Sequence, residues 1–474
     1  MSDALVIASL VFFVYFAVYN LATIALLVMS YGEIAWLVRG RQPRRSGLRP
    51  LSHRPGISVL VPAFNEQEVV VTTVSALLQQ DYAPLEIVVV DDGSTDATFE
   101  RLDAAFDLVS IPIGTGLPLR TAPIESLHVA RRAPGLRVLR KTNGGRADAL
   151  NAGLAVARHE LVAVTDADSL LEPDALIRAL RPFEEQPDGC LAVGGSIRVA
   201  NRSEISHGRV QVARIGGGIE AMQTLEYVRG FLGTRIAWSR LNGLLIVSGA
   251  FGLFRRETLV DLGGFLPSTM GEDMELTVRL HHRLRPDWPE AAVLYAADAI
   301  CWTQAPSTLS GLRSQRVRWQ VGLLETIAQH RAMLGRTRYG ASGLLALPYL
   351  AFFEAVSPLF QLAGWTLVTV LVIIDPSAWP WAVAMLLITL LFVQLQTMLA
   401  LLVQETAFHG YSRRDLTRML AWSVLEIFWY HPLLAIWRTS GTIRLALGRR
   451  PGWGEIPREA LEEAPAGALT PLTR

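Results

Sequence analysis

Two aspartates separated by one residue, Asp166 and Asp168, form a pair whose residue type and spacing suggest a functional site. They follow an apolar run rich in β-branched residues, so both carboxylates would lie at the end of one strand. Two carboxylates at one point can hold Mg²⁺ or Mn²⁺ together with the oxygens of a bound phosphate. The simpler interpretation is a capping turn before a helix, because Ser, Glu, Pro and Asp follow.

A second set of charged residues surrounds paired glycines. Asp91 and Asp92 end another apolar run, where a carboxylate can accept hydrogen bonds from a base or a ribose. Further on, Lys141 precedes the pair that ends in Gly145, and Arg146 follows it. Paired glycines let the backbone approach a ligand, and the flanking cations suit phosphate. Lys141 is the only lysine in the chain, and we interpret it as a phosphate contact.

Two motifs in the second half carry a candidate base and a candidate acceptor site. Glu272 and Asp273 follow a glycine, and an acid there can act as a general base, although first-turn carboxylates also stabilise helices. The motif QRVRW contains Gln315, Arg316, Arg318 and Trp319. Arg318 can neutralise a diphosphate and Trp319 can stack on a sugar ring. The simpler interpretation is a set of anchors in the membrane interface.

These residues need a scaffold, and the apolar pattern indicates one. Short runs rich in β-branched residues predict strands at 56–63, 85–90, 137–139 and 161–165. Helical spacing over 66–78 follows the first run. The resulting β-α-β order predicts a parallel sheet covered by helices, with ligands beyond the carboxyl ends of the strands. Residues 107–135 are interpreted as a surface insertion, and 248–264 as a glycine-rich mobile stretch.

Composition indicates a membrane-associated protein with a sizeable water-soluble part. The 474 residues are 51% hydrophobic and only 18% charged, against about 25% charged in a soluble domain. The near balance of 44 basic and 43 acidic residues excludes a strongly basic nucleic-acid binder. Two distant cysteines, Cys190 and Cys301, form neither a disulfide framework nor a zinc motif.

Four apolar regions are candidates for the membrane. Residues 4–32 carry no charge, and about 20 apolar residues cross a bilayer. Arginines follow this run and none precedes it, which predicts an N-terminus outside and the following residues in the cytoplasm. Residues 342–374 and 376–404 are also apolar, whereas 419–437 is shorter and contains Glu426. After the first crossing, the arginines beyond residue 437 favour two further full crossings, at 342–374 and 376–404, with 419–437 lying in the interface or re-entering.

Taken together, the motifs resemble a known family. VPAFNE, VDDGS, KTNGGRADALNAG, DADS, SGAFGLFRR, GEDMEL and QRVRW occur in this order beside apolar helices. This is similar to the membrane-integrated family 2 glycosyltransferases, which include cellulose, hyaluronan, chitin and poly-N-acetylglucosamine synthases. The resemblance runs from Ile57 to the last apolar segments. It implies a GT-A fold, a UDP-sugar donor, a glycan or lipid acceptor, a lipid bilayer, an inverting reaction and room for accessory export subunits.

The resemblance also implies roles for individual residues. It implies nucleotide contacts at Asp91 and Asp92, a uridine pocket bordered by Asn65 and Glu66, sugar-nucleotide support at Asp166, Mg²⁺ or Mn²⁺ at Asp168, and a general base at Asp273 with Glu272 beside it. The QRVRW motif would frame the acceptor and the pyrophosphate, and its Q-x-x-R-W pattern is associated with processive members. Two positions depart from the family pattern, since Arg146 replaces a usual Lys and Gln304 a usual Glu.

We therefore expect an α/β GT-A domain inserted between an N-terminal transmembrane helix and C-terminal transmembrane or interfacial helices. The expected segments are a helix at 1–33, a basic cytoplasmic linker at 34–55, the GT-A domain at 56–335, membrane helices at 336–447 and a cytoplasmic tail at 448–474. The expected protein is a multi-pass protein of the inner or plasma membrane that makes and exports a β-linked polysaccharide. Two alternatives stay open: a non-processive transferase acting on a membrane lipid, and an inactive membrane scaffold.

Overall fold

The computed structural model describes residues 3–40, 54–114, 116–206, 209–212, 215–408 and 411–450. The chain forms two compact units. Of the described residues, 54–212, 215 and 244–305 belong to the sheet unit, and 3–40, 216–243, 306–408 and 411–450 to the helical unit. Most of the expected linker and of the expected tail lies outside the described residues, and the expected domain boundaries stay a prediction.

Strands and helices are numbered in chain order. The strands are β1 Ile57–Ala63, β2 Leu85–Asp91, β3 Leu108–Ile111, β4 Ile124–Ala130, β5 Leu136–Lys141, β6 Leu161–Thr165, β7 Ser169–Leu171, β8 Cys190–Val199, β9 Glu204–Ser206, β10 Arg209–Val212, β11 Phe251–Arg255 and β12 Ala292–Thr303. The helices are α1 Asp3–Gly40, α2 Val70–Leu77, α3 Thr98–Phe106, α4 Arg146–Val156, α5 Ala175–Glu185, α6 Ile219–Tyr227, α7 Arg235–Arg240, α8 Arg256–Asp261, α9 Glu272–Leu284, α10 Leu309–Gln329, α11 Leu347–Tyr349, α12 Ser357–Ile374, α13 Trp379–Phe408, α14 Arg413–Leu425 and α15 Tyr430–Ala446.

A ten-stranded sheet in the order β3-β4-β5-β2-β1-β6-β11-β8-β12-β7 organises the sheet unit. Strands β5, β2, β1 and β6 run parallel, and β11 is antiparallel to both of its neighbours, β6 and β8. Nearly every residue of β1, β2 and β6 is buried, which is typical of parallel strands covered on both faces. The predicted parallel strands are confirmed, although the sheet as a whole is mixed, and the carboxyl ends of β5, β2, β1 and β6 share one edge.

Two segments differ from the sequence interpretation. Residues 107–135 contain the antiparallel pair β3 and β4, which extends the sheet beyond β5, so this segment is not simply a surface insertion. Short edge strands with mixed polarity and proline-rich connections give a weak alternating signal, which explains the error. The stretch 248–264 contains β11, whose residues are largely buried between β6 and β8, and the prediction of mobility was wrong.

Helix α2 begins at Val70, later than the predicted start at residue 66. Asn65 adopts a left-handed backbone conformation with φ of 56°. The backbone N–H groups of Glu66 and Gln67 donate to side chains at the beginning of α3, Thr98 at 2.9 Å and, just before the helix, Asp96 at 3.2 Å. These contacts hold residues 65–67 as a turn beside the end of β2, and the helix starts only after them.

Among the described residues, three helices are long and apolar enough to cross a membrane by length and composition: Ala8–Ala35, Ser357–Ile374 and Pro376–Thr406. The helices Arg413–Leu425 and Tyr430–Ala446 meet the same test only as a pair, which is bent by 59°. A shorter apolar helix, Ser342–Ala355, precedes α12, and the break between them lies next to Pro358.

Ion pairs tie less apolar segments of the helical unit to its long helices. Arg229 binds both carboxylate oxygens of Glu426 at 2.5 and 2.6 Å and also donates to Thr397 of α13 at 3.1 Å. Glu426 lies at the bend between α14 and α15 and is fully buried. Charged groups inside an apolar helical bundle are costly unless they are paired, so this contact fixes the bend against α13.

Candidate active site

The carboxyl ends of the four parallel strands bring the predicted residues to one edge of the sheet unit. Asp91 ends β2 and Lys141 ends β5, while Asn65 follows β1 and Asp166 follows β6. The strand register aligns Ala63 with Asp91, so neighbouring strands end at the same level. This edge is the usual ligand-binding side of a parallel sheet.

The Asp92 carboxylate anchors the glycine loop at this edge. Lys141 Nζ donates to one oxygen of Asp92, the Gly144 N–H donates to the same oxygen at 3.1 Å, and the Gly145 N–H donates to the other at 2.8 Å. Asn143 donates to the Asp92 carbonyl at 2.8 Å. Burial raises the pKa of Asp92, although Lys141 and the two backbone N–H groups oppose that rise.

Lys141 is fully buried, and its three N–H groups have acceptors within the protein. Besides Asp92 it binds the Asp148 carboxylate at 2.8 Å and the Thr142 carbonyl at 2.6 Å. Asp148 lies in the first turn of α4 and also accepts from the Ala122 N–H at 3.1 Å. These contacts make Lys141 the residue that holds Asp92, and its predicted phosphate contact stays untested.

The loops after β1 and β2 are joined by side chains. Asn65 accepts from the Thr95 N–H at 2.8 Å, and the Asn65 N–H donates to the Ser94 hydroxyl at 3.0 Å. The buried Asp91 carboxylate accepts from the Ser94 N–H at 3.0 Å and lies 3.4 Å from Arg140 Nε. The predicted nucleotide residues of these two loops, Glu66 included, therefore lie in one connected region.

Arg146 joins the Asp-x-Asp pair to the Gly-Glu-Asp motif. Its Nε and Nη2 donate to one oxygen of Asp166 at 3.0 and 2.7 Å, and its Nη1 donates to Glu272 at 2.5 Å. The helix that carries Arg146 begins after Gly145, whose φ of 86° favours glycine. Gly145 binds Asp92, whereas Arg146 binds Asp166 and Glu272. These two consecutive residues therefore connect three acidic motifs that are distant in the sequence.

The acidic pair at the start of α9 has two different environments. Glu272 is buried, and burial raises its pKa, with Asp273 adding to the rise and Arg146 opposing it. Asp273 is half-buried and accepts from the Gly249 N–H at 3.1 Å and from the Met274 N–H at 2.7 Å. A half-buried carboxylate with fixed orientation can accept a proton from a hydroxyl that approaches it.

The Asp168 residue is 3% exposed, and its neighbour Ser169 donates to its carboxylate at 3.4 Å. Asp166 is 32% exposed as a side chain, and Arg146 occupies only one of its oxygens. Within the described ranges no group of three metal-ligating side chains occurs. Asp168, with Asp166 beside it, would offer carboxylate oxygens to a divalent cation, which usually completes its shell with water and substrate phosphates.

The QRVRW residues lie on α10 of the helical unit. Arg316 is buried and forms a bidentate pair with Glu226 at 2.8 Å, and its guanidinium lies 4.2 Å from the centre of the Trp319 ring. Tyr430 donates to the same Glu226 carboxylate at 2.8 Å. Arg318 donates to Ser314 at 3.2 Å. The acceptor and pyrophosphate roles of Gln315 and the rest of this motif stay a prediction.

Sequence reasoning missed the role of Gly249. This residue belongs to the motif SGAFGLFRR, in which it was assigned no function of its own. Its carbonyl accepts from Arg146 at 2.9 Å and its N–H binds Asp273, and a Cβ atom at this position would lie 2.8 Å from Arg146 Nη2. The only signal was the clustering of small residues in the segment, which indicates close backbone approach.

The mixed sheet with its acidic strand ends has the architecture of the GT-A fold. The structure is similar to that of a mannosyltransferase from Pyrobaculum calidifontis, solved with GDP-mannose and Mn²⁺, with a TM-score of 0.50, 19% identity, and coverage of 91% of this chain and 100% of that one. Residues 125–322 match the family described as glycosyltransferase like family 2, and residues 58–116 match glycosyl transferase family 2. Each of these two matched segments is shorter than half of the chain, and both agree with the family that the motifs resemble.

Curated relatives include poly-β-1,6-N-acetyl-D-glucosamine synthases. The protein from Staphylococcus epidermidis is 28% identical over 272 residues, which is 56% of this chain and 54% of the relative. The protein from Staphylococcus aureus is 28% identical over 270 residues with the same coverage. The chain thus spans about half the length of these curated relatives.

Proposed function

We propose that this protein is an inverting membrane glycosyltransferase that transfers a sugar from a UDP-sugar to a growing, β-linked polysaccharide. One observation carries the proposal. The Arg146 guanidinium binds Asp166 and Glu272, which are parts of two motifs more than a hundred residues apart in the sequence. A candidate base thereby lies beside the carboxylates expected to receive the donor, as a transfer reaction between two substrates requires.

The nucleotide end of the donor is proposed to bind at the loops that follow β1 and β2. Asn65, Glu66 and Asp91 would form this pocket with Asp92. The contacts of Asp92 with Lys141 and the glycine loop support a positioning role for that carboxylate, since it holds the backbone of Gly145 against the strand ends.

Asp168 is the proposed ligand of a divalent cation, Mg²⁺ or Mn²⁺, with Asp166 beside it. Its burial fits this role, because a hard cation takes oxygen ligands and offsets the cost of burying their charge. A bound cation would stabilise the negative charge that develops on the departing UDP. Asp166 would face the donor with the oxygen that Arg146 leaves available.

Asp273 is proposed to act as the general base. Its carboxylate would take the proton of an acceptor hydroxyl while that oxygen attacks the anomeric carbon from the face opposite the UDP. A single displacement inverts the configuration, so an α-linked donor would give a β-linked product. The N–H groups of Gly249 and Met274 orient the carboxylate and lower the cost of its negative charge.

The helical unit supports a location in the membrane. Its three long apolar helices suit a multi-pass protein of the inner or plasma membrane, with the sheet unit in the cytoplasm and the N-terminus outside. Arginines flank the bent pair on both sides, at Arg413 and Arg414 and again at Arg449 and Arg450. We propose that this pair stays at the cytoplasmic interface, since both ends then satisfy the positive-inside tendency. Processive synthesis coupled to export, through the helical unit or accessory subunits, is part of the proposal.

The test is a donor screen with the purified full chain in lipid nanodiscs. UDP-N-acetylglucosamine is tried first, because the curated relatives make a polymer of that sugar. UDP release and product size are measured with Mg²⁺, with Mn²⁺ and with EDTA, and Asp168→Asn serves as the variant without the cation ligand. Long polymer with either cation supports the proposal. A single sugar on a lipid would favour the non-processive alternative, and no release of UDP from any donor would overturn the assignment.

A further inference from the structure

The nitrogen atoms of Arg146 are almost fully engaged by the protein. A guanidinium has five N–H donors. Nε and Nη2 bind Asp166 at 3.0 and 2.7 Å, Nη1 binds Glu272 at 2.5 Å, and Nη2 also binds the Gly249 carbonyl at 2.9 Å. The Arg146 side chain is only 17% exposed. Four bonds to the protein leave one N–H for any other acceptor.

Gly249 connects Arg146 to the proposed base, Asp273. Its carbonyl accepts from Arg146, and its N–H donates to the Asp273 carboxylate at 3.1 Å. A Cβ atom on residue 249 would lie 2.8 Å from Arg146 Nη2 and 3.1 Å from Arg146 Cζ. The spacing between the guanidinium and the backbone of this loop therefore admits glycine, and a methyl group would push the two apart.

We propose that Arg146 is a positioning residue, which fixes the Glu272–Asp273 pair relative to Asp166. Its guanidinium binds Asp166 and Glu272 directly and reaches Asp273 through the backbone of Gly249. This inference rests on the proposed function and replaces the sequence-based interpretation of Arg146 as a ligand of the nucleotide sugar. Only one N–H of Arg146 remains for another acceptor, so a bidentate contact with the diphosphate would have to leave Glu272, whose side chain is 7% exposed, without its counter-charge.

The side-chain type follows from this role. Glu272, Asp166 and Gly249 are bound by the three nitrogen atoms of one planar group. A lysine presents a single ammonium on a flexible chain and cannot reproduce a fork of this width. Arg146→Lys therefore keeps the charge of the site and loses its geometry. Gly249→Ala leaves all charges in place and disturbs the same contact from the other side.

The experiment compares these two variants with wild type in three measurements: kcat, KM for the UDP-sugar that wild type uses, and the Kd of UDP by calorimetry with Mg²⁺. A misplacement of about 1 Å can cost about 10²-fold in rate. We expect kcat to fall by about 10–100-fold in both variants, while the Kd of UDP changes by less than about threefold. Binding of UDP at this affinity also reports that each variant is folded.

Arg131→Lys and Gly114→Ala are the matched controls. The Arg131 side chain is 68% exposed, and a Cβ atom added at Gly114 would meet no other atom within 4 Å, so wild-type values are expected for both. A tenfold or larger rise in the Kd of UDP in Arg146→Lys with unchanged kcat would show a phosphate contact and overturn the inference. Unchanged kcat in both variants would overturn it as well. Absence of turnover in wild type would instead count against the proposed function.

Discussion

The substitution Lys141→Met tests the assignment of the only lysine to the interior of the sheet unit. The Lys141 ammonium binds two carboxylates, and the residues that carry them, Asp92 and Asp148, are 3% and 8% exposed. Methionine is of similar size and removes the counter-charge of both. Breaking a buried ion pair from one side costs about 3–5 kcal/mol. Because both carboxylates keep backbone N–H donors, we expect the lower end, a loss of about 3 kcal/mol in the free energy of unfolding.

For a domain of about 150–250 residues, a loss of about 3 kcal/mol lowers Tm by about 6–12 °C. The difference in stability between wild type and Lys141→Met should become smaller at acid pH. The direction of this pH dependence follows from the pKa of Asp92. Burial already raises the pKa of Asp92, and removal of Lys141 raises it further. The folded variant then binds a proton at a pH where the unfolded chain is still ionised, so its stability increases as pH falls through that window.

The assay is thermal unfolding of the full chain in detergent, followed by intrinsic fluorescence between about pH 5 and pH 8, a range that lies above the ordinary carboxyl pKa values. Arg158→Met is the control, because the Arg158 side chain is 65% exposed and lies 3.8 Å from the Glu86 carboxylate. A decrease in Tm of less than about 2 °C in Lys141→Met, or a deficit that grows as the pH falls, would refute the reasoning about this buried pair.

Three further predictions concern buried groups. An amine-reactive ester should acylate Lys141 only after denaturation, because the side chain is fully buried. Peptide mass spectrometry of native and unfolded samples measures the acylation. Rapid labelling of Lys141 in the native sample would contradict the prediction. Burial lowers the pKa of His281 to about 4. The unfolded chain protonates first, so this group costs about 2 kcal/mol of stability between pH 7 and pH 5, and denaturant titrations of His281→Met should show a correspondingly weaker acid dependence. Glu226→Gln should cost about 1–3 kcal/mol, because Arg316 is 2% exposed and loses a bidentate charged partner; an unchanged Tm would contradict that.

The sequence was sufficient for the part of the fold that rests on hydrophobic pattern. Strands β1, β2 and β6 are apolar along most of their length because both faces are buried, and such runs are visible without any structure. Strands β3 and β4 were missed because an edge pair with one neighbour tolerates polar residues such as Ser110 and Glu125. The predicted start of α2 was wrong because two side chains at the beginning of α3, Asp96 and Thr98, bind the backbone N–H groups of residues 66 and 67.

The candidate site shows the same division. Residue types and strand ends indicated which side chains belong to the site, but not which of them touch one another. A lysine next to paired glycines is typical of a phosphate ligand. Only the fold shows that the Lys141 ammonium binds the Asp92 and Asp148 carboxylates. The partnership of Arg146 with Gly249 depends on contacts between distant segments, for which one sequence carries no signal.

The most direct test of the central claim is to separate transfer from donor binding in Asp273→Asn. The account predicts that kcat falls by about 10²–10⁴-fold, the usual contribution of general base catalysis, while the Kd of UDP stays within about threefold of wild type. Asp287→Asn, at an exposed position just beyond α9, should retain both wild-type values. Near-normal turnover in Asp273→Asn with intact UDP binding would contradict the assignment of this carboxylate and, with it, the proposed chemistry of the site.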